Sequence, residues 1–221
     1  AIPRCPEGAR VVISNWCLSS NASAKALFES LGMELIRHGR RMEIEFSGPP
    51  AAPQWPAGII CRTYRHDEDL RAVFLVEHEA FRDHWGHVAE SEEVGIEQLR
   101  HFIESDKKSD PSLWFLAMDD EEVVGICRCN PEFEEDPEFG FVWSLGVRRR
   151  WRRRGIGLAI LRYAFCEFYR RGKKGVCLDV DAGSLTGANR LYEKAGMHIK
   201  RQSDVYMKEL RPGKDLMTHD V

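Results

Sequence analysis

The chain has no apolar run near the roughly 20 residues that a membrane-crossing helix needs. With 30% of its 221 residues charged, an α-helical membrane protein is excluded. It also lacks a basic start followed by an apolar stretch and a small-residue cleavage site, since it opens Ala1-Ile2-Pro3-Arg4. No targeting segment is read, and a cytoplasmic protein whose first residue falls inside a longer gene is expected. Cysteine is sparse and odd in number: Cys5, Cys17, Cys61, Cys127, Cys129, Cys166 and Cys177 are scattered through apolar segments, not set in a dense framework. Reduced thiols follow, and Cys127 and Cys129, at strand spacing, are expected buried on one side of a strand. No Gly-x-Gly-x-x-Gly or Gly-Lys-Ser/Thr is present, which excludes a Rossmann fingerprint and a P-loop. His78, Glu79, His84 and His87 cluster without the spacing His-Glu-x-x-His and without a nearby cysteine, so no metal is expected.

Net charge is scarce as well, at −3, but that sum is a cancellation. From Arg148 to Lys174 eleven Lys or Arg stand against Glu167 alone, so this window carries +10 and the remainder −13. From Asp119 to Glu138 nine acids face only Arg128. The basic window calls for an anionic partner. At 43% hydrophobic, the length allows one large domain, or one domain plus a fragment.

An internal repeat is visible. Leu27-Phe28-Glu29-Ser30-Leu31-Gly32-Met33 reads against Leu191-Tyr192-Glu193-Lys194-Ala195-Gly196-Met197, each after helical Ala-containing sequence and before a basic strand-like segment. Between the copies, residues 48–58 belong to a stretch holding four of the ten prolines, an extended, semi-stiff linker marking a boundary. Beyond it the periodicities give a strand over 59–64, helices over 67–84 and 94–103, and strands over 112–118, 123–129 and 139–147. A helix over 157–169, a strand over 175–180, a helix over 186–195 and a strand pair over 197–210 complete the order βααβββαβαββ, an α/β arrangement around a mixed sheet. A strand, glycine turn, helix and strand imply a right-handed parallel crossover.

The chemistry concentrates where Trp143-Ser144-Leu145-Gly146-Val147 runs into Arg148-Arg149-Arg150-Trp151-Arg152-Arg153-Arg154-Gly155-Ile156-Gly157-Leu158. Two glycines and a helix start after a strand supply free backbone N–H groups and a positive dipole end, a place for phosphate. A solvated basic face would leave the glycines unexplained, and a nucleic-acid patch would lack interleaved stacking aromatics and face an acidic remainder.

Arg152-Arg153-Arg154-Gly155-Ile156-Gly157 resembles the Arg/Gln-x-x-Gly-x-Gly/Ala signature of the GNAT superfamily of acetyl-CoA-dependent N-acyltransferases. Leu145-Gly146-Val147 resembles the strand before it, and Asn189 to Met197 the family's late helix. The resemblance covers about residues 59–211, the α+β GNAT fold. It implies a domain over 59–211, a tail over 212–221, and residues 1–47 as the end of a preceding GNAT-like unit in a tandem arrangement, with Phe28 where the second copy has Tyr192.

By the same resemblance, acetyl-CoA is the co-substrate and a primary amine of a small molecule the acceptor, attacking the thioester directly. Cofactor contacts fall to Leu145, Gly146, Val147, Arg152, Arg153, Arg154, Gly155, Ile156, Gly157, Leu158, Ser184 and Asn189. Ser184 stands near where many relatives carry Asn, which puts that contact in doubt. Tyr192 is the expected general acid toward the CoA thiolate. Glu138 is the expected base, with Glu132, Glu134 and Glu135 as alternates. Asp83, His84, Trp85 and His87 are expected acceptor contacts. Beyond these partners, an upstream GNAT domain or a second copy is anticipated, and no membrane. The reading from a different class is a binding module that senses acyl-CoA, or holds nucleic acid through its Arg-rich loop, without catalysis.

Overall fold

The computed structural model describes residues 7–105, 109–184 and 187–218, so Cys5, Thr186 and the last three residues of the 212–221 tail lie outside the described residues. The elements are β1 (Val11–Leu18), α1 (Ala22–Ser30), β2 (Glu34–Glu45), β3 (Ile59–Thr63), α2 (His66–Phe81), α3 (Glu92–Ser105), β4 (Trp114–Asp119), β5 (Glu122–Asn130) and β6 (Phe139–Val147). There follow α4 (Ile156–Arg170), β7 (Gly175–Asp181), α5 (Ala188–Lys194) and β8 (His198–Arg211). One mixed sheet takes the strands in the order β1-β8-β2-β7-β6-β5-β4-β3, with β6 and β7 its parallel pair. No described helix is long and apolar enough to cross a membrane.

Apolar periodicity explains the layers. Ile156, Ile160, Ala164, Phe165 and Phe168 recur at helical spacing and put one face of α4 into the main core, with Cys127, Cys129, Val142, Leu178 and Tyr192. On the opposite side, Val73 and Val76 of α2 pack with Trp114, Leu116 and Ile126. Cys127 and Cys129 are indeed buried on one side of β5, their sulfurs 3.6 Å apart. Glycine is required where layers close tightly: a Cβ on Gly140 would stand 2.2 Å from the Phe168 ring, and one on Gly175 would stand 2.4 Å from the Ile44 carbonyl oxygen. The proline-rich segment is not free of the domain. Trp55 packs on Tyr163 of α4 with ring centroids 6.2 Å apart.

The end of the chain departs from the expected strand pair. Residues 198–211 form one 14-residue strand, β8. No glycine or proline interrupts 198–211 to turn the chain, and the place beside β7 is taken by β2, which pairs antiparallel with β7 from Gly39↔Asp181 to Glu45↔Gly175. The segment before the linker is therefore built into the same sheet.

The ladder between β2 and β8 is reciprocal. Glu34 pairs with Met207 and Glu43 with His198, while Leu35 pairs with Tyr206 and Met42 with Ile199; Gly39 faces Ser203. Each position exchanges with the one 164 residues away, so the two repeat copies meet about a local two-fold axis between Gly39 and Ser203. The two irregularities of the ladder, at Leu35/Arg37 and Arg41/Met42, obey the same exchange.

Asp204, 2% exposed, ties the first copy to β8. Its carboxylate accepts from Ser19 Oγ at 2.5 Å, lies 2.9 Å from His38 Nδ1, and pairs with Lys25 Nζ at 2.7 Å. Burial opposes its ionisation, but the hydrogen bonds from Lys25, Ser19 and His38 outweigh it and hold its pKa at about 2. A carboxyl depressed in the folded state stabilises fully above its unfolded pKa, and that contribution disappears as pH falls from about 4 toward about 2. Asp204→Asn is expected to lower the melting temperature at pH 7 and to flatten this acid limb. A variant that melts in parallel with wild type from pH 7 down to pH 2 would count against the role assigned to Asp204.

Candidate active site

The parallel contact of β6 with β7 runs only from Phe139↔Gly175 to Val142↔Leu178. On the other flank of β6 the register shifts: Arg128 faces Ser144 while Cys129 faces Val142, leaving Trp143 as the extra residue of a β-bulge. From Trp143 to Val147, β6 keeps β5 on one side and leaves its β7-facing edge out of the ladder. Leu145, Gly146 and Val147 lie on this open edge, ready to hydrogen-bond an extended ligand through the backbone. Gly146 lets α2 approach, since a Cβ there would stand 3.0 Å from the Ala80 methyl.

After β6 a 3₁₀ turn (Arg149–Trp151) leads into α4. Trp151 anchors the turn: its ring is buried and Nε1 donates to Asp119 Oδ2 at 2.7 Å. Arg153 (φ 63°) and Gly155 (φ 91°) take left-handed backbone, costly for an arginine and natural for glycine. Ala159 N is bonded back to Gly155 O, and the N–H groups of Ile156, Gly157 and Leu158, at the positive end of a 15-residue helix, have no backbone partner among the described residues. A Cβ on Gly157 would come 2.9 Å from Leu191, so glycine sets how closely α4 and α5 meet.

The arginines divide into three groups. Arg148 pairs with Glu79 at 2.8 Å and with Glu122, and Arg149 pairs with Asp83. Burial works against the charge on Glu79, yet the Arg148 side chain and the Arg149 backbone N–H hold its pKa below the ordinary value. Arg152 corrects an expectation: its guanidinium does not stand free for phosphate but donates to the carbonyls of Val147 (3.1 Å) and Ala80 (3.0 Å), bracing β6 to α2. Burial, then the charge of Arg149, lowers its pKa. Arg153 and Arg154 are exposed and, among the described residues, make no ion pair. Asp83, expected at the acceptor, is committed to Arg149.

Tyr192 is 8% exposed, set by α5 into the main core beside Cys127. Burial, with Cys127 adding, raises its hydroxyl well above the ordinary phenol range, so it is protonated at neutral pH. Asn189 does not reach toward the open edge with a free amide. Its Nδ2 donates to Asp181 O at 3.2 Å and its Oδ1 accepts from Arg40 at 3.3 Å, which ties α5 to β7 and β2. Ser184 follows β7, its N–H donating to Asp181 O at 3.2 Å.

The expected base is displaced. Glu138 precedes the closed end of β6, pairs with Lys174, and is 57% exposed. It lies seven residues before Leu145, roughly 20 Å along an extended strand. Glu135 pairs with Arg201 and Glu132 with Lys173, in the same loop before β6 that holds Glu134. Glu138 thus stands at the end of β6 that β7 closes, because sequence proximity to β6 does not say which end of the strand opens.

The segment after α2 does come to the open end. His84 stands edge-on to Phe81 at 4.8 Å; burial, then the charge of Arg152, lowers its pKa. The Arg37 guanidinium lies 5.3 Å over the Trp85 ring, and the His87 and His78 rings are 5.4 Å apart. The tail passes over this segment: Gly86 N donates to Thr218 O (2.9 Å) and Thr218 N to His87 O (2.8 Å). Sequence reading missed the tail contact, and also Glu77 and Arg128, which meet behind Ser144 at 2.8 Å. The signal for that pair was a lone arginine in an otherwise apolar strand.

A mixed sheet whose parallel pair splays beside the free N-terminus of a helix defines the class of the acyl-CoA-dependent N-acyltransferases. The chain belongs to the acetyltransferase (GNAT) family, whose model matches residues 70–197. It is 29% identical to a mycothiol acetyltransferase of Thermobispora bispora over 184 residues, 82% of this chain and 60% of that protein. It is 28% identical to the enzyme of that name from Streptomyces scabiei, over 88% of this chain and 61% of that protein. The chain thus spans about three fifths of the length of these relatives. A solved GCN5-related N-acetyltransferase from Sphaerobacter thermophilus is 39% identical, with TM-score 0.81 over 97% of this chain and 65% of its own. A tandem GNAT protein from the clavulanic acid biosynthesis pathway shares the fold, at TM-score 0.67 and 16% identity over 92% of this chain and 65% of its own.

Arg153 and Arg154 flank the N-terminus of α4, the expected place for the phosphates of CoA. Arg153→Ser with Arg154→Ser is expected to weaken acetyl-CoA binding about tenfold at low salt, the deficit shrinking as salt rises. Calorimetry at two ionic strengths checks it, and an unchanged dissociation constant at low salt would remove these arginines from the phosphate site.

Proposed function

We propose that the protein is a cytoplasmic N-acetyltransferase moving the acetyl group of acetyl-CoA to a primary amine of a small molecule. The observation that carries this reading is the continuity of the open β6 edge, Trp143 to Val147, with the N-terminus of α4, and Tyr192 in the core cluster against which Leu145 and Val147 pack. Backbone groups of Leu145 and Val147 hold the thioester end and pantetheine arm. N–H groups from Arg153 to Leu158 hold the pyrophosphate, donors already aimed before the ligand arrives. The amine nitrogen attacks the thioester carbon, the tetrahedral intermediate collapses, and Tyr192 gives its proton to the departing thiolate. The curated relatives are named mycothiol acetyltransferases, which supports a small-molecule acceptor.

The nucleic-acid reading of the basic window loses support from its ion pairs. Arg148, Arg149, Arg170, Arg171, Lys173 and Lys174 all face carboxylates of this chain. Residues 1–47 are read as the end of a preceding GNAT-like unit, 48–58 as the linker, 59–211 as the acetyltransferase unit and 212–221 as its tail. The reciprocal β2–β8 ladder and the three-fifths coverage of the relatives support this division. An upstream unit or a second copy of the chain would then lie along β1, the edge strand of the sheet.

Calorimetric titration with acetyl-CoA tests the reading, and absence of binding at millimolar ligand would sink it. A screen of primary amines for CoA release then finds the acceptor. Tyr192→Phe is expected to lower kcat by about a hundredfold, the scale of a positioned general acid, while leaving the acetyl-CoA dissociation constant within about twofold. Equal turnover would take Tyr192 out of that role.

A further inference from the structure

A cavity of about 310 Å³ crosses one face of β1, β8, β2 and β7, with Trp16, Arg41, Asp179, Arg201 and Val205 in its lining. Trp16 and Arg41 come from the first repeat copy and the others from the second, so the cavity forms only where both copies share one sheet. One end lies at the splay, since Asp179 is the first β7 residue past Leu178, where the parallel contact with β6 stops. Donors and acceptors in this lining are not balanced. Arg41 gives Nε and Nη2 to the two oxygens of Asp179 (2.6 and 2.7 Å), lies over the rings of Phe133 (4.1 Å) and Phe141 (5.5 Å), and keeps its remaining Nη1 buried. Arg201 gives both terminal nitrogens to Glu135. The arginine donors are therefore largely taken within the chain, and an anionic ligand would find few. Acceptors are left over, because a carboxylate offers about four lone-pair sites and Arg41 occupies one on each oxygen of Asp179. The Asp179 side chain is 59% exposed above an arginine that is 10% exposed, so the negative member of the pair faces solvent. Trp16, 57% exposed, adds an indole to the lining, the aromatic face that attracts a cation best.

We propose that this cavity holds the cationic body of the acceptor and that the acceptor is a linear polyamine: one primary amine enters the splay, a second nitrogen donates as ammonium to Asp179, and a third lies against Trp16. The proposal rests on the acetyltransferase reading and names its substrate class. Asp179 at the splay and Trp16 on β1 lie on strands separated by β8 and β2, so a chain that reaches both is extended and carries its charges apart. Val205 between them gives the intervening methylenes an apolar contact. A monoamine leaves Asp179 and Trp16 unused, and an amine with a carboxylate at its far end meets an indole and an outward carboxylate in place of donors. Asp179 and Trp16 are thus specificity-determining residues, and neither takes part in the transfer itself.

The test uses three probes of matched length: spermidine, octane-1,8-diamine and 8-aminooctanoate, which carry three cations, two cations, and one cation with one carboxylate. Calorimetry on the full chain at low salt is expected to give spermidine a dissociation constant about fivefold below that of the diamine. The diamine in turn should bind about tenfold more tightly than 8-aminooctanoate, both steps shrinking as salt rises. Trp16→Ala removes a side chain already exposed on an edge strand and is expected to melt with wild type. It should erase the step between spermidine and the diamine while leaving the acetyl-CoA dissociation constant unchanged, and Asp179→Asn should erase the step between the diamine and 8-aminooctanoate. Affinities that ignore the number of cations, or a spermidine preference that survives Trp16→Ala, would overturn the polyamine site whatever the turnover. Spermidine bound in the expected order but releasing no CoA from acetyl-CoA would instead overturn the transferase reading and leave the cation site standing.

Discussion

Strands β6 and β7 touch over four paired positions and then part, and the site depends on that limit. Two features enforce it. At the closed end, Gly140 and Gly175 remove the Cβ atoms that would strike Phe168 and the Ile44 carbonyl, so helix, β6, β7 and β2 pack tightly there. At the other end, the bulge at Trp143 twists β6 away and re-aims its side chains. The right-handed crossover through α4 then brings the helix N-terminus to the open end of the strands, so that backbone donors and the helix dipole lie at one place. Neither the open edge nor the helix start would be a site alone; the splay makes them one.

Charge in the chain is spent mostly on holding this arrangement. The basic window looks like a single anion-binding surface when written out, yet most of its members are answered by carboxylates drawn from α2, β5 and the loops. Arg152 goes to backbone carbonyls. Arg153 and Arg154, at the helix start where the phosphates are expected, are exposed and make no ion pair among the described residues. From β8, Asp204 gathers Ser19, Lys25 and His38 of the first repeat copy, so one buried carboxylate connects α1, β2 and β8.

Much of the fold and part of the site were legible before any coordinates. Arg152 to Gly157 and Asn189 to Met197 are short segments whose residue types dictate local geometry: a left-handed glycine, a helix start, an amphipathic turn. The matching seven-residue segments ending at Met33 and Met197 signalled two copies of one unit. Three readings met a different arrangement in the structure for a shared reason. Glu138 was placed by nearness in sequence to β6, Arg152 by its charge, and 197–210 by the expectation of a hairpin. Each depends on a partner far along the chain: the end at which β7 departs, the carbonyl of Ala80, and β2 lying in the place the hairpin would fill. The same holds for Glu77, Arg128 and Ser144, which come from α2, β5 and β6 and carry no spacing that links them.

The sequence by itself determined the elements, the glycine turn into α4, the tyrosine of the late helix and the existence of a repeat, since all of these are written in local periodicity and residue type. Tertiary structure decided which charges are paired, where β6 opens and which strand stands beside β7. Those outcomes come from burial and from long-range pairing, where a side chain's partner, and with it the energy of its charge, exists only once distant strands are side by side.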